Sequence, residues 1–517
     1  MLVHSFLRDS GVRHPHKSAL ICGRDRISYQ ELDARANRLA NGLVSLGVQR
    51  GDRVVIWLAN SIDTVVSIFG TLKAGALFVV LNPDTKLHNL GYILRNCSAS
   101  VLVTAAGNEH AARRLLDEIP SLHHILIVGG NSTDVPAQHG LLCMQSWLVQ
   151  QSDRQPEVGV IDQDLACLIY TSGSTGEPKG VISGHNNVVF AVDSIIQYLR
   201  NSSDDTVLNV LPFSFDYGLY QVLMTFRFGG TLVIENAFGF PAAILRSIEQ
   251  YRVTGLPTVP TLTSMLLNAD MSRYDLSSLR YLTNTAAAFP VAHIRSVQQK
   301  LPHVQIYSMY GLTECKRTLY LPPDRLSDKA ESVGIPIPGT EVWIEDDSGK
   351  RLGAGATGEL VVRGSHVMRG YWADPGLSER VYRPGPTPGE RVLYSGDLFR
   401  MDEEGFFYFV GRKDDIIKSR GEKVSPREVE DIICRMTGVS EAAVVGIPDE
   451  MLGQSIKAYV VPSNQQLTER DVLSYCAERL ERFKVPQSIE FRSELPRTSN
   501  GKIDKKALSR RQTKVGA

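Results

Sequence analysis

The residues best suited to chemistry lie together at 168–181, LIYTSGSTGEPKGV. A run of apolar and aromatic residues gives way to a loop of hydroxyls and glycines that ends on a lysine. Gly173 and Gly176 can take backbone angles barred to other residues and let a ligand approach the main chain. Consecutive N–H groups in such a turn form a concavity for anions. Thr171, Ser172, Ser174 and Thr175 add hydroxyl donors, and Lys179 adds a point charge. Together these suit a polyphosphate. The loop is not a Walker A motif, which closes on Gly-Lys-Ser/Thr, because Lys179 here follows Pro178. The plain alternative is a solvated Ser/Gly linker, but linkers rarely follow an apolar strand so abruptly.

The elements that must hold such a loop are written in the same chain. SYQELDARANRLANGLVSLG (28–47) has apolar positions at helical spacing, a Ser28/Glu31 capping box and a terminal glycine. DRVVIWLAN then reads as a buried strand, DTVVSIFGTLKAGALFVVLNP as helix, glycine stop and strand, and LGYILRNCSASVLVT as helix and strand again. The alternation recurs at LNVLPFSFDYGLYQVLMTFRFGGTLVIE and argues for parallel sheets covered by helices. From about residue 340 the texture becomes strands and turns, EVWIEDDSGKRL, TGELVVRG and GFFYFVGR, which suggests a β-rich subdomain. After Arg412 a compact α+β tail follows, with a helix expected over 467–483. The fold class expected is therefore α/β: a large N-terminal domain, 1–412, and a small mobile α+β domain, 413–517, with the boundary at Lys413–Asp414.

Composition narrows the function. A chain of 517 residues is too long for one ordinary core. Lys+Arg and Asp+Glu are both 56, so no global field favours nucleic acid or an anionic membrane. The N-terminus lacks the basic start and apolar core of a signal peptide, and no apolar run reaches a membrane span of roughly 18–20 residues. Seven scattered cysteines give neither a disulfide framework nor a Cys-x-x-Cys metal spacing. A reducing cytoplasm is the expected location.

Four further segments turn the loop into a pattern: YSMYGLTE (307–314) with VGIPIPG (333–339), YSGDLFRMDEEGFFYFVGRKDDIIKSRGEKVSPREVE (394–430), and LPRTSNGKI (495–503). In this order they resemble the adenylate-forming superfamily of acyl- and aryl-CoA synthetases, nonribosomal peptide adenylation domains and beetle luciferases, over essentially the whole chain. The resemblance implies ATP and Mg²⁺ as cofactors. A carboxylate attacks the ATP α-phosphate, pyrophosphate leaves, and the acyl-adenylate passes to a thiol of CoA or of a carrier-protein phosphopantetheine arm. It also implies the roles. The 171–180 loop, with Thr171 and Lys179, holds the β/γ-phosphates. Glu314 is the magnesium-linked carboxylate. Ala286 and the rest of NTAAAF (284–289) flank adenine, Tyr310 stacks on it, and Gly311 and Thr313 belong to the same nucleotide site. Asp397 takes the ribose hydroxyls, Arg412 reaches the ribose–phosphate side, and Lys502 contacts the carboxylate and α-phosphate during adenylation. Asp414 aligns with the hinge. Outside these motifs Glu314 and Asp397 would read as surface carboxylates and Lys502 as a solvated lysine. Cys315 has no activating neighbour in the sequence and reads as packing.

The same resemblance bears on the acid. Phe215-Asp216 matches the Phe-Asp of peptide-synthetase domains, whose aspartate pairs with a substrate ammonium, and a buried carboxylate without a partner is costly. The first expectation is thus an amino acid. The alternative is a non-amino aryl or short to medium aliphatic acid, with Asp216 turned away or neutralised by Arg317. Tyr217, Tyr220, Met309, Arg317 and Thr318 line the same pocket by alignment. The acceptor stays open between CoA and a separate carrier protein. Rival readings are a kinase, which would lack the Lys502 tail, a catalytically dead binding protein, which would have lost Glu314, Asp397 or Lys502, and a luciferase-like oxygenase, which starts from the same adenylate.

Overall fold

A computed structural model describes residues 1–129, 140–171, 177–236, 239–285, 289–419, 422–449, 452–463, 467–497 and 503–510. The chain divides into two compact units: 1–330 with 334–341 and 362–393, and 331–333 with 342–361 and 394–517.

The first unit carries two large sheets. In the seven-stranded one the order is Leu141–Cys143, His124–Val128, Val101–Ala105, Arg53–Trp57, Leu77–Leu81, Leu165–Thr171, Lys179–Gly184. All neighbours are parallel except the last pair. The near-continuous apolar runs are explained by burial: Leu77–Leu81 is buried along its whole length, as strands covered on both faces must be. The helices Leu87–Asn96 and Glu109–Glu118 lay Leu90, Ile93, Leu94 and Leu115 on Val55, Leu102 and Ile125. The nine-stranded sheet is parallel through its centre, from Gln305–Leu312 to Ser18–Cys22, and antiparallel at both edges.

Local signals act as written. Ser28 caps the helix Tyr29–Ser45: its hydroxyl accepts from the Glu31 N–H, and the Glu31 carboxylate accepts from the Ser28 N–H at 2.9 Å. The strand Thr206–Asn209, helix Asp216–Phe228 and strand Thr231–Ile234 form one parallel crossover unit, and the helix is stopped by Gly229 at φ +79°.

In the second unit the tail is a sheet of short strands dominated by the antiparallel pair Val439–Asp449 and Gly453–Pro462. Helices Pro426–Cys434 and Glu469–Ala477 share one core with Val444, Ile456 and Val460. The expected helix 467–483 is therefore shorter. Past Ala477 the chain turns, which brings Leu480 into that core and sets Phe483 and Val485 against it, and Pro486 would break a longer helix in any case.

Candidate active site

The loop that opens the chemistry sits on a hairpin. Leu165–Thr171 and Lys179–Gly184 pair antiparallel, with Thr171 directly opposite Lys179. Ser172, Gly173, Ser174, Thr175 and Gly176 lie outside the described residues. The second strand is tied from its outer side. The Gly180 carbonyl accepts from the Trp372 N–H at 2.7 Å, and Ile182 exchanges hydrogen bonds with Arg369 and Gly370. A Cβ on Gly180 would stand 3.0 Å from the Tyr170 ring, so a larger residue after Lys179 would push that ring aside. The Tyr170 hydroxyl donates to Asn96 Oδ1 at 2.5 Å. Both strands that flank residues 172–176 are thus anchored in packed structure.

A second hairpin presents Glu314. Gln305–Leu312 and Lys316–Tyr320 pair antiparallel, with a register shift at Tyr310/Gly311. A Cβ on Gly311 would lie 1.7 Å from the Lys316 carbonyl oxygen; only glycine admits that approach. Lys316 itself is a non-glycine residue at φ +56°. The turn holds Glu314 half-buried, with one carboxylate oxygen accepting from the Tyr371 hydroxyl at 2.6 Å and its carbonyl accepting from the Met368 N–H. Tyr310 and Thr313 are half-buried beside it in sequence. Among the described residues no cluster of three or more His, Cys, Asp or Glu could hold a metal, so Glu314 offers a cation one carboxylate. A hard cation there needs its other oxygens from phosphate and water, a donor set that fits a nucleotide-bound Mg²⁺. Cys315 is fully buried with its sulfur 2.9 Å from the Thr318 hydroxyl. Burial pushes its thiol up to about 12, which agrees with packing and not with a nucleophile.

The acid-pocket candidates converge on the start of the helix Asp216–Phe228. Asp216, Tyr217 and Tyr220 are all buried. Asp216 and Tyr220 share a helix face, four residues apart. The Arg317 guanidinium lies over the Tyr217 ring at 4.3 Å, and the Lys316 ammonium lies over Tyr220 at 5.8 Å while donating to the Thr313 carbonyl at 2.9 Å. Tyr217 and Thr283 share a hydroxyl–hydroxyl hydrogen bond of 2.6 Å. The Tyr198 hydroxyl donates to Met309 Sδ at 2.9 Å, and its ring stacks on Tyr320. Thr318 is fully buried and engaged with Cys315. Asp216 and Arg317, both among the described residues, make no ion pair with each other.

In the second unit Asp397 and Arg412 face each other across a hairpin and form an ion pair of 3.0 Å, the carboxylate buried and the guanidinium half-exposed. Gly396 lies inside the strand Arg391–Met401 at φ +69°, an angle that favours glycine, and its N–H donates to Glu359. Asp414 is exposed in a single 3₁₀ turn, Lys413–Asp415. Lys502 and Ala286 lie outside the described residues.

The sequence reading missed three side chains here: Lys316, Tyr198 and Tyr371. Two adjacent cations in the apolar run ECKRTLYL were a visible signal for Lys316. Nothing in the sequence ties Tyr371 to Glu314, 57 positions away.

Comparison with known proteins places this geometry. The AMP-binding enzyme family profile matches residues 7–372, and the AMP-binding enzyme C-terminal domain matches 428–502. The chain is 35% identical to a feruloyl-CoA synthase of Amycolatopsis sp over 502 residues, covering 96% of both. It is 30% identical to a long-chain-fatty-acid–CoA ligase of Bacillus subtilis (strain 168) over 537 residues, covering 99% of this chain and 94% of the other. Its fold matches the anthranilate CoA ligase AuaEII in complex with anthranoyl-AMP at a TM-score of 0.89 and 28% identity, covering 100% of this chain and 98% of that one. These relatives are acid–CoA ligases, so they favour the second acid expectation over amino-acid activation. The chain belongs to the AMP-binding, adenylate-forming enzyme family, as a member of its acid–CoA ligase class.

Proposed function

We propose that this protein activates a non-amino aryl or short to medium aliphatic acid with ATP and transfers it to CoA. The observation that carries the reading is similarity to acid–CoA ligases along 96% or more of the chain, with the Glu314 hairpin built as described. The acid carboxylate attacks the α-phosphorus, the bond to the bridging oxygen breaks, and pyrophosphate leaves. The CoA sulfur then attacks the acyl carbon and AMP leaves. Thr171, Lys179 and the 172–176 loop hold the phosphates. Tyr310, Gly311, Thr313 and Ala286 form the adenine side, while Asp397 takes the ribose and Arg412 its phosphate side. Glu314, oriented by the Tyr371 hydroxyl, would hold Mg²⁺, which neutralises phosphate charge when bound. Lys502 draws the carboxylate and α-phosphate together. The mobile domain that swings to exchange Lys502 for the thiol is taken as residues 413–517, with Asp414 as hinge.

A second reading, an amino acid loaded on a carrier-protein phosphopantetheine arm, has one observation behind it: Asp216 is buried and, among the described residues, makes no hydrogen bond or ion pair. One experiment separates the two. Acid-dependent pyrophosphate exchange is measured on amino acids and their des-amino partners, then AMP release with CoA or with a carrier protein bearing a free phosphopantetheine thiol. Faster exchange with the des-amino acids and turnover with CoA are expected. A consistent preference for amino acids would overturn the first reading.

A further inference from the structure

The start of the strand Lys316–Tyr320 lies over the start of the helix Asp216–Phe228, and the charges there do not balance. Lys316, Arg317 and Asp216 are 1%, 5% and 6% exposed, two cations against one carboxylate. The Lys316 ammonium stands over the Tyr220 ring, one helical turn beyond Asp216. One carboxylate cannot balance two cations, and Asp216 forms no ion pair with Arg317. Its guanidinium covers the Tyr217 face at 4.3 Å and, among the described residues, makes no hydrogen bond and no ion pair. The buried Tyr220 hydroxyl is likewise without a partner among them.

A buried guanidinium has five N–H donors in a planar fork suited to a carboxylate. Leaving them unsatisfied is unfavourable, and Lys316 is held at φ +56°, a conformation non-glycine residues rarely adopt. Strain and unmet donors concentrated at one place are the mark of a ligand site. We infer that Arg317, stacked on Tyr217, takes a second carboxylate on the acid substrate, so that the preferred acids are short or aryl dicarboxylic acids activated at one end. This rests on the acid–CoA ligase reading and deepens it. The planar fork accepts an anion in two parallel hydrogen bonds, the fixed ring keeps the fork from turning away, and the unpartnered Tyr220 phenol adds a neutral donor.

The test compares parent and dicarboxylic acids in two series, benzoate with isophthalate and terephthalate, and butyrate with succinate and glutarate. AMP release with CoA gives kcat/KM, and thermal shift of the protein with each free acid gives binding without turnover. A dicarboxylate in at least one series should exceed its parent by about a hundredfold in kcat/KM, since a site built for a polar group rejects the analogue that lacks it. Arg317→Gln should remove that preference, bringing each dicarboxylate to within a few-fold of its parent, and Arg317→Lys should restore part of it. Hydroxy-, methoxy- and amino-benzoates complete the panel. The inference is overturned if parents match or exceed dicarboxylates, if a neutral or amino substituent is preferred, or if the preference survives Arg317→Gln. Should Arg317→Gln fail to fold, the wild-type series and Arg317→Lys decide. If no acid releases AMP with CoA, yet a dicarboxylate raises the melting temperature of wild type more than that of Arg317→Lys, the ligase reading falls and the Arg317 site stands. Absence of both effects removes the site.

Discussion

Asp397 is buried and meets Arg412 at 3.0 Å, the residue facing it across a hairpin. Arg317 is also buried and meets a tyrosine face. The first charge is balanced inside the protein by a partner that strand register delivers; the second is held by packing against the Tyr217 ring. A third kind of buried ionisable group sits near the N-terminus. His4 and His185 lie edge to face, 5.9 Å apart between ring centres, and His185 Nδ1 accepts from the Val3 N–H. Burial holds their pKa values down, to about 3 and about 4, so these two are buried neutral. Pairing, ring packing and neutralisation are three answers to one desolvation penalty. Of these three, only the Arg317 arrangement leaves strong donors unmatched among the described residues.

The largest expected effect strikes the hairpin on which Arg317 depends. Gly311→Ala would drive a Cβ to 1.7 Å from the Lys316 carbonyl, which backbone must move to relieve. Loss of roughly 3 kcal/mol or more is expected, read by denaturant titration, together with loss of adenylation. A stable, active alanine variant would show that the Lys316 backbone is free to shift, and with it the fixed position of Arg317.

Next in size is acidification. The two histidines bind protons in the unfolded chain near pH 6.5 but in the folded protein only near pH 3–4. Between those limits the unfolded state holds more protons, so stability falls as pH falls. From pH 7 to 5 the loss should be up to about 2 kcal/mol per imidazole. His185→Gln keeps an acceptor for Val3 and should flatten the pH profile of unfolding; an unchanged slope would remove His185 from the buried neutral group.

The smallest effect, but the sharpest for the comparison, is a pair of substitutions of opposite sign. Arg412→Met removes the cation that faces buried Asp397 and should destabilise by about 1–3 kcal/mol, less than for a fully buried pair because Arg412 is half-exposed. Arg317→Met exchanges ring-packed charge for apolar volume and should stabilise by about 1–2 kcal/mol while losing selectivity, the usual trade at a functional site. If both destabilise equally, measured by urea unfolding in the absence of ligands, the distinction between the two regions collapses.

What the sequence determined follows from local rules. The Ser28/Glu31 box, the glycine stop at Gly229 and the buried strand runs are short-range signals, and each produces its element. The ordered motifs placed the chain in its family and named the residues expected to meet ATP. Aspects set by long-range packing were out of reach. The end of the helix at Ala477 is set by Leu480 joining a core with residues far away in the chain. Tyr371 finds Glu314 only through strand and loop placement. The sequence listed Asp216 and Arg317 as equal and opposite candidates for one another. Only the tertiary structure decided that they form no ion pair and that an unforeseen lysine shares their burial, because which charges meet depends on side-chain direction from a strand and a helix that sequence spacing does not bring together.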